Sequence, residues 1–195
     1  SEVIYSFGDS VRNPSAYINR YNGHMDNIAK LIVNEAGRDF RLVTDYMSGK
    51  DSTDLINTLK QGQKIINQAD LIIFNHGIND AYQLTSFADW ESNIDFFIEW
   101  CRRYYPNAKI LLLGATKLAN TETSQNTRLD QLRALQSAKA DIPNKIWYYG
   151  LDTVVLPNYD PYSTYYSDAI HPTQASHDLY GAGLGEFIKT TIYGL

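Results

Sequence analysis

Two four-residue runs in this chain, LIIF at 71–74 and ILLL at 110–113, are apolar without a break. A strand with one wet face alternates polar and apolar residues, whereas a strand covered on both faces has no polar side to show. Comparable β-rich runs lie near 2–7, 41–46, 70–75, 109–113 and 145–149. Between them stand stretches of helical period near 23–37, 52–68, 87–104 and 124–140, with a last one near 174–192. Right-handed crossovers place the helices of such an alternation on both faces of a parallel sheet. The expected class is α/β: a three-layer α/β/α sandwich on a five-stranded parallel sheet, with residues 1–195 as one domain.

Several boundaries carry their own chemistry. Asp51 and Ser52 stand where the second helix should be capped, and Asp54 falls in its first turn, near the positive end of the helix dipole. Pro106 and Pro143 follow the third and fourth helical stretches as stops, and Pro172 suits the first position of the last helix. The stretch 151–170 has no clean period, and a long connection of that kind in a compact fold usually carries function.

Composition narrows the partners. A net charge of −5 argues against nucleic acid, whose phosphates need a basic face. No run of about 18 apolar residues is present, so no membrane span is expected. The lone Cys101 sits in an apolar-periodic stretch and reads as a buried core thiol. The chain starts at Ser1 and enters a strand almost at once. It therefore reads as a mature or excised piece. Membership of a larger multidomain protein, and a secreted or surface- or virion-associated location, are further expectations that no residue selects.

Ligands of an open parallel sheet bind beyond the carboxyl ends of its strands, so the residues just after each strand are the informative set. The first strand runs into Gly8-Asp9-Ser10, the second into Ser48-Gly49-Lys50 and the third into Gly77-Ile78-Asn79-Asp80. The fifth strand and its long loop lead to Asp168-Ala169-Ile170-His171-Pro172. Acyl transfer needs a hydroxyl, a base to take its proton, an acid to orient the base, and donors for an oxyanion. Ser10, His171 and Asp168 supply the first three. The N–H groups of Ser10 and Gly49 and the side-chain amide of Asn79 are candidate oxyanion donors, and glycine at 49 lets the backbone approach a substrate closely.

Four blocks, GDS at 8–10, MSGKDS at 47–52, GIND at 77–80 and DAIHP at 168–172, occur in order along nearly the whole chain. In this the sequence resembles the SGNH (GDSL-type) hydrolases. The resemblance implies a flavodoxin-like strand order 2-1-3-4-5 and one SGNH-type esterase domain. It also implies a metal-free, cofactor-free mechanism in which Ser10 attacks an ester carbonyl and His171 shuttles the proton. GDSV replaces the commoner GDSL or GDSI. The G-x-S-x-G elbow of the α/β-hydrolases is absent, since position 12 is Arg.

Asp9 and Asp80 read as residues that hold loops, not as catalysts. His24 and His177 carry no functional expectation, and His76 reads as structural. There is no HExxH or CxxC, so no metal is expected. The segment before Asp168 is rich in tyrosine; Tyr159, Tyr162, Tyr165 and Tyr166 are a candidate substrate rim, because aromatic faces suit sugar rings. The leading expectation is an esterase removing small acyl groups, chiefly O-acetyl, from a carbohydrate, so an acylated carbohydrate is the expected partner. The alternatives are a lipase or thioesterase for longer acyl chains, and a non-catalytic carbohydrate-binding module.

Overall fold

The computed structural model describes residues 1–12, 24–119, 123–156, 165–168 and 170–195. Five parallel strands form its centre: β1 (Glu2–Gly8), β2 (Phe40–Tyr46), β3 (Leu71–Asn75), β4 (Lys109–Gly114) and β5 (Ile146–Gly150). Their order across the sheet is β2-β1-β3-β4-β5, and every pairing is parallel. All five residues of β3 are buried, and so is β4 except for Lys109, as their unbroken apolar runs require. β2, at an edge, is only partly covered and exposes Arg41.

The helices are α1 (Met25–Glu35), α2 (Ser52–Lys60), α3 (Ile78–Tyr82), α4 (Phe87–Tyr104), α5 (Thr123–Ser137) and α6 (Gln174–Phe187). α1 packs along α6, and α4 packs against both α2 and α5. The α1–α6 seam is unusually close: a Cβ on Gly181 would lie 2.7 Å from Ile28, and one on Gly185 would lie 2.8 Å from Ile32. Glycine in a helix interior costs about 1 kcal/mol against alanine, and here it allows two backbones to meet. On the α4 side, Phe7, Phe74, Phe97 and Trp100 form a ring cluster, with Phe74 and Phe97 centroids 4.8 Å apart. Cys101 is buried beside it, and burial pushes its thiol pKa well up, as a core thiol should behave.

Three boundaries differ from the sequence reading. The helix expected over 52–68 stops at Lys60, because the chain turns through left-handed backbone at Gly62 and Lys64. The short α3 falls inside what reads as a plain loop. Pro172 does not open α6: it pairs across an isolated antiparallel bridge with Tyr166, and Thr173 takes the N-cap. Asp51 caps α2 as expected, accepting the Asp54 N–H at 3.0 Å. Among the described residues no helix is long and apolar enough to cross a membrane.

Candidate active site

In the sheet register Gly8 lies beside Tyr46 on one side and Asn75 on the other. The three strands therefore end level, and Ser10, Gly49 and Asn79 come within a few residues of that line. Ser10 stands in a tight turn. The Asp9 carboxylate accepts the Val11 N–H at 3.0 Å, and the Asp9 carbonyl accepts the Arg12 N–H at 3.1 Å. The second loop is tied to the same place, since the Met47 N–H donates to the Gly8 carbonyl at 2.8 Å.

Ser10, His171 and Asp168 form one hydrogen-bonded line. His171 Nε2 lies 3.1 Å from Ser10 Oγ, and Nδ1 lies 2.8 Å from Asp168 Oδ2. The other carboxylate oxygen, Oδ1, accepts the N–H groups of Ile170 and His171, both at 2.7 Å. One acid thus closes the turn and orients the ring of the same histidine. With Nδ1–H assigned towards the carboxylate, Nε2 is left to accept the Ser10 proton. The Ser167 N–H and hydroxyl both reach the His171 carbonyl, at 2.9 and 3.0 Å, which holds the turn closed. Burial alone would raise the Asp168 pKa. The His171 N–H and ring and the Ile170 N–H outweigh it and hold the carboxyl below its ordinary value, so the group stays ionised.

Gly49 lies in left-handed backbone, with φ +71°. The Asn79 amide donates to the Lys50 carbonyl at 3.1 Å, which fixes which end of the amide is nitrogen and leaves its second N–H for another acceptor. Such a group of donors beside an activated hydroxyl can stabilise a tetrahedral oxyanion.

Asp9 and Asp80 are both buried behind this surface. Asp80 accepts the Ser52 N–H with both oxygens at 3.1 Å, joining the second loop to the third. Asp9 also accepts from the Ile78 N–H. Burial pushes the Asp9 pKa up to about 7 and the Asp80 pKa up to about 6. Both act as loop holders, as read from the sequence. The native fold keeps a proton on Asp9 that the unfolded chain has already released between its ordinary value of 3.8 and about 7. Asp9 therefore supports the fold fully below that window and loses its contribution as pH rises through it. Asp168, with its lowered pKa, acts in the opposite sense: its support is full above its ordinary value of 3.8 and is lost as pH falls below it. Urea unfolding at pH 4.5 and pH 8 tests this. Asp9→Asn should remove a decline on the order of a few kcal/mol between the two. An unchanged difference in the variant would show that Asp9 does not carry it.

Of the tyrosines expected at a rim, Tyr159 and Tyr162 lie outside the described residues. Tyr165 is half-buried, and its carbonyl accepts the Thr173 N–H at 3.0 Å. Tyr166 is only 3 % exposed, and its hydroxyl donates to the Lys117 carbonyl at 2.6 Å and meets that of Tyr180. Its ring is spent on packing and offers no open face. His76 is buried, and burial lowers its pKa to about 4, so it is neutral near pH 7.

A buried network behind Ser10 is not legible in the sequence. The Arg12 guanidinium, fully covered, pairs with Asp26 at the start of α1 and donates to Ser6 Oγ at 3.0 Å. Asp26 also receives the Ser6 and Tyr46 hydroxyls, and His24 and His177 lie against the same group, their ring centroids 5.2 Å apart. Burial, then the nearby Arg12 charge, lowers the pKa of both histidines. The one signal the sequence offers is an arginine two residues beyond the candidate nucleophile.

The sequence profile of the GDSL-like lipase/acylhydrolase family matches residues 6–179. No curated protein matches the chain in sequence. Among solved structures, a carbohydrate esterase family 3 protein from Talaromyces cellulolyticus superposes with a TM-score of 0.74, at 12 % identity over 100 % of each chain. A member of the lipolytic protein G-D-S-L family from Veillonella parvula gives a TM-score of 0.71 at 12 % identity, covering 99 % of this chain and 98 % of that one. An active-site mutant of a family two carbohydrate esterase from Clostridium thermocellum gives 0.70 at 21 % identity, with 100 % of this chain and 65 % of that chain covered. At these identities the likeness is one of fold.

Proposed function

Because this chain belongs to the GDSL-like lipase/acylhydrolase family, a family of ester hydrolases, we propose that it forms one serine esterase domain cleaving small acyl groups, chiefly O-acetyl, from a carbohydrate. The observation that carries the reading is the unbroken line from Asp168 through His171 to Ser10, with contacts of 2.8 and 3.1 Å. Ser10 Oγ attacks the ester carbonyl while His171 Nε2 takes its proton, and Asp168 stabilises the imidazolium. The carbonyl oxygen becomes an oxyanion held by the N–H groups of Ser10 and Gly49 and the Asn79 amide. As the intermediate collapses, the sugar hydroxyl leaves with the proton from His171. Water, deprotonated by the same ring, then releases the acid and restores Ser10. The carbohydrate part is supported by the fold shared with two carbohydrate esterases.

p-Nitrophenyl acetate, butyrate and octanoate, set beside an O-acetylated polysaccharide, test the substrate. The expected result is kcat/KM highest on acetate, together with acetate release from the polymer. Each methylene buried in an acyl pocket contributes about 0.8 kcal/mol, roughly fourfold. A rate climbing steadily to octanoate, with no acetate released from the polymer, would replace the carbohydrate reading with a lipid or thioester one.

A further inference from the structure

We propose that Gln83 is a positioning residue for the oxyanion site, holding the Gly49 backbone in the orientation that acyl transfer needs. This rests on the reading of Gly49 and Asn79 as oxyanion donors. Gln83 Nε2 donates to the Gly49 carbonyl at 3.0 Å, and Asn79 Nδ2 donates to the next carbonyl, that of Lys50, at 3.1 Å. Gln83 is the C-cap of α3, its N–H bonded to the Asn79 carbonyl one helical turn back, so the two side chains leave the same side of this turn and grip consecutive peptide planes. On the other side, the Lys50 N–H closes the turn onto the Met47 carbonyl at 3.1 Å. A glycine in left-handed backbone has two soft dihedrals and no side chain to fix them. Tethering the carbonyls at 49 and 50 supplies the constraint that residue 49 cannot supply itself.

A second observation comes from the end of α3. The Gln83 N–H donates to the Asn79 carbonyl at 2.8 Å, the Thr85 N–H donates to the Asp80 carbonyl at 3.0 Å, and Leu84 between them has φ +59°. This is a helix stop at which glycine or asparagine is favoured. Leucine there is strained, and its side chain, 70 % exposed, recovers little by burial. Strain of this kind persists where the surroundings over-determine the backbone, and it clusters at working sites. The surroundings here are bonds to the second loop: Thr85 Oγ donates to Asp51 at 3.1 Å, and Ser52 is held by Asp80. Within this set Gln83 is exposed at the surface and tied directly to Gly49.

The test compares Gln83→Met, Gln83→Glu and Gln83→Lys on p-nitrophenyl acetate, with Asn79→Ala measured alongside. Methionine keeps the shape and removes the donor, glutamate turns a carboxylate onto the carbonyl, and lysine restores a donor. The expected result is a kcat about fivefold lower in Gln83→Met and lower still in Gln83→Glu. KM should stay within about twofold of wild type, and Gln83→Lys should recover to within about threefold of it. Phosphorylation of Ser10 by diethyl p-nitrophenyl phosphate should show the same order, since its phosphoryl oxygen uses the same donors. Unchanged kcat in the Gln83 variants, with a large loss in Asn79→Ala, would overturn the positioning role and leave the oxyanion reading standing. Unchanged activity in Asn79→Ala as well would overturn that reading and the proposal with it. A raised KM at constant kcat, or equal losses in all three Gln83 variants, would overturn the proposal too, since the donor would not be what matters.

Discussion

Ser10→Ala is expected to lower kcat for ester hydrolysis on the order of 10⁴-fold or more, with thermal unfolding unchanged. The proposed nucleophile is only partly covered and packs no core, so its removal should cost the fold little. It takes away the atom 3.1 Å from His171 Nε2, the contact through which the Asp168–His171 pair meets a reacting group. What remains is a base that can activate water and the donors around the oxyanion, a combination that leaves only residual catalysis. Steady-state rates on p-nitrophenyl acetate should be paired with active-site titration, so that contaminating wild-type enzyme is counted. A variant retaining a tenth or more of the wild-type rate would rule Ser10 out as the nucleophile.

The second large effect concerns stability. Asp26→Ala leaves the fully buried guanidinium of Arg12 without its counter-ion and strips the partner from the Ser6 and Tyr46 hydroxyls. Removing one member of a buried pair typically costs about 3–5 kcal/mol, because a charge is left in a medium that cannot solvate it. That is a large part of the whole stability of an ordinary domain. Replacing both charges, as in Arg12→Met with Asp26→Leu, should cost clearly less than the single change. Urea unfolding of the three proteins checks both statements. If Asp26→Ala lost less than about 1 kcal/mol, the pair would not be holding the turn. Arg12 also lies directly beneath that turn, since a Cβ on Gly8 would fall 2.6 Å from its Cγ. Variants that stay folded should therefore lose activity as well.

The strands are the most legible part of this chain. LIIF and ILLL have no polar face to show, and both are central strands. β1 and β5 lie within a residue or two of where their apolar runs place them. Helix ends are harder wherever backbone geometry, not periodicity, sets them. The second helix stops early at the left-handed turns of Gly62 and Lys64, and α3 is too short to carry a period. The candidates Ser10, Asp168 and His171 stand out in the sequence because acyl transfer prescribes residue types near strand ends, and the fold brings the three within hydrogen-bonding distance. Arg12, Asp26 and Gln83 cannot be read in the same way. An arginine or glutamine is a surface residue until a partner distant in sequence is known, and the partner of Gln83 is 34 residues away. Tyr166 shows the converse: its tyrosine-rich neighbourhood suggests an open aromatic face, and a neighbouring carbonyl and the core take that face.

The close seam between α1 and α6 has a kinetic meaning. α1 comes after the loop of the candidate nucleophile and α6 after the candidate base, so joining these helices brings together two groups 161 residues apart. Closing so long a stretch of chain carries an entropic cost that local contacts do not, and this slows the step that makes it. The glycines at 181 and 185 let the two helices meet only when both are correctly formed and in register. A chain whose α1 and α6 have not yet met would thus hold its serine and histidine apart, and hydrolysis would begin only once they had. Turnover is in this sense a readout of completed folding.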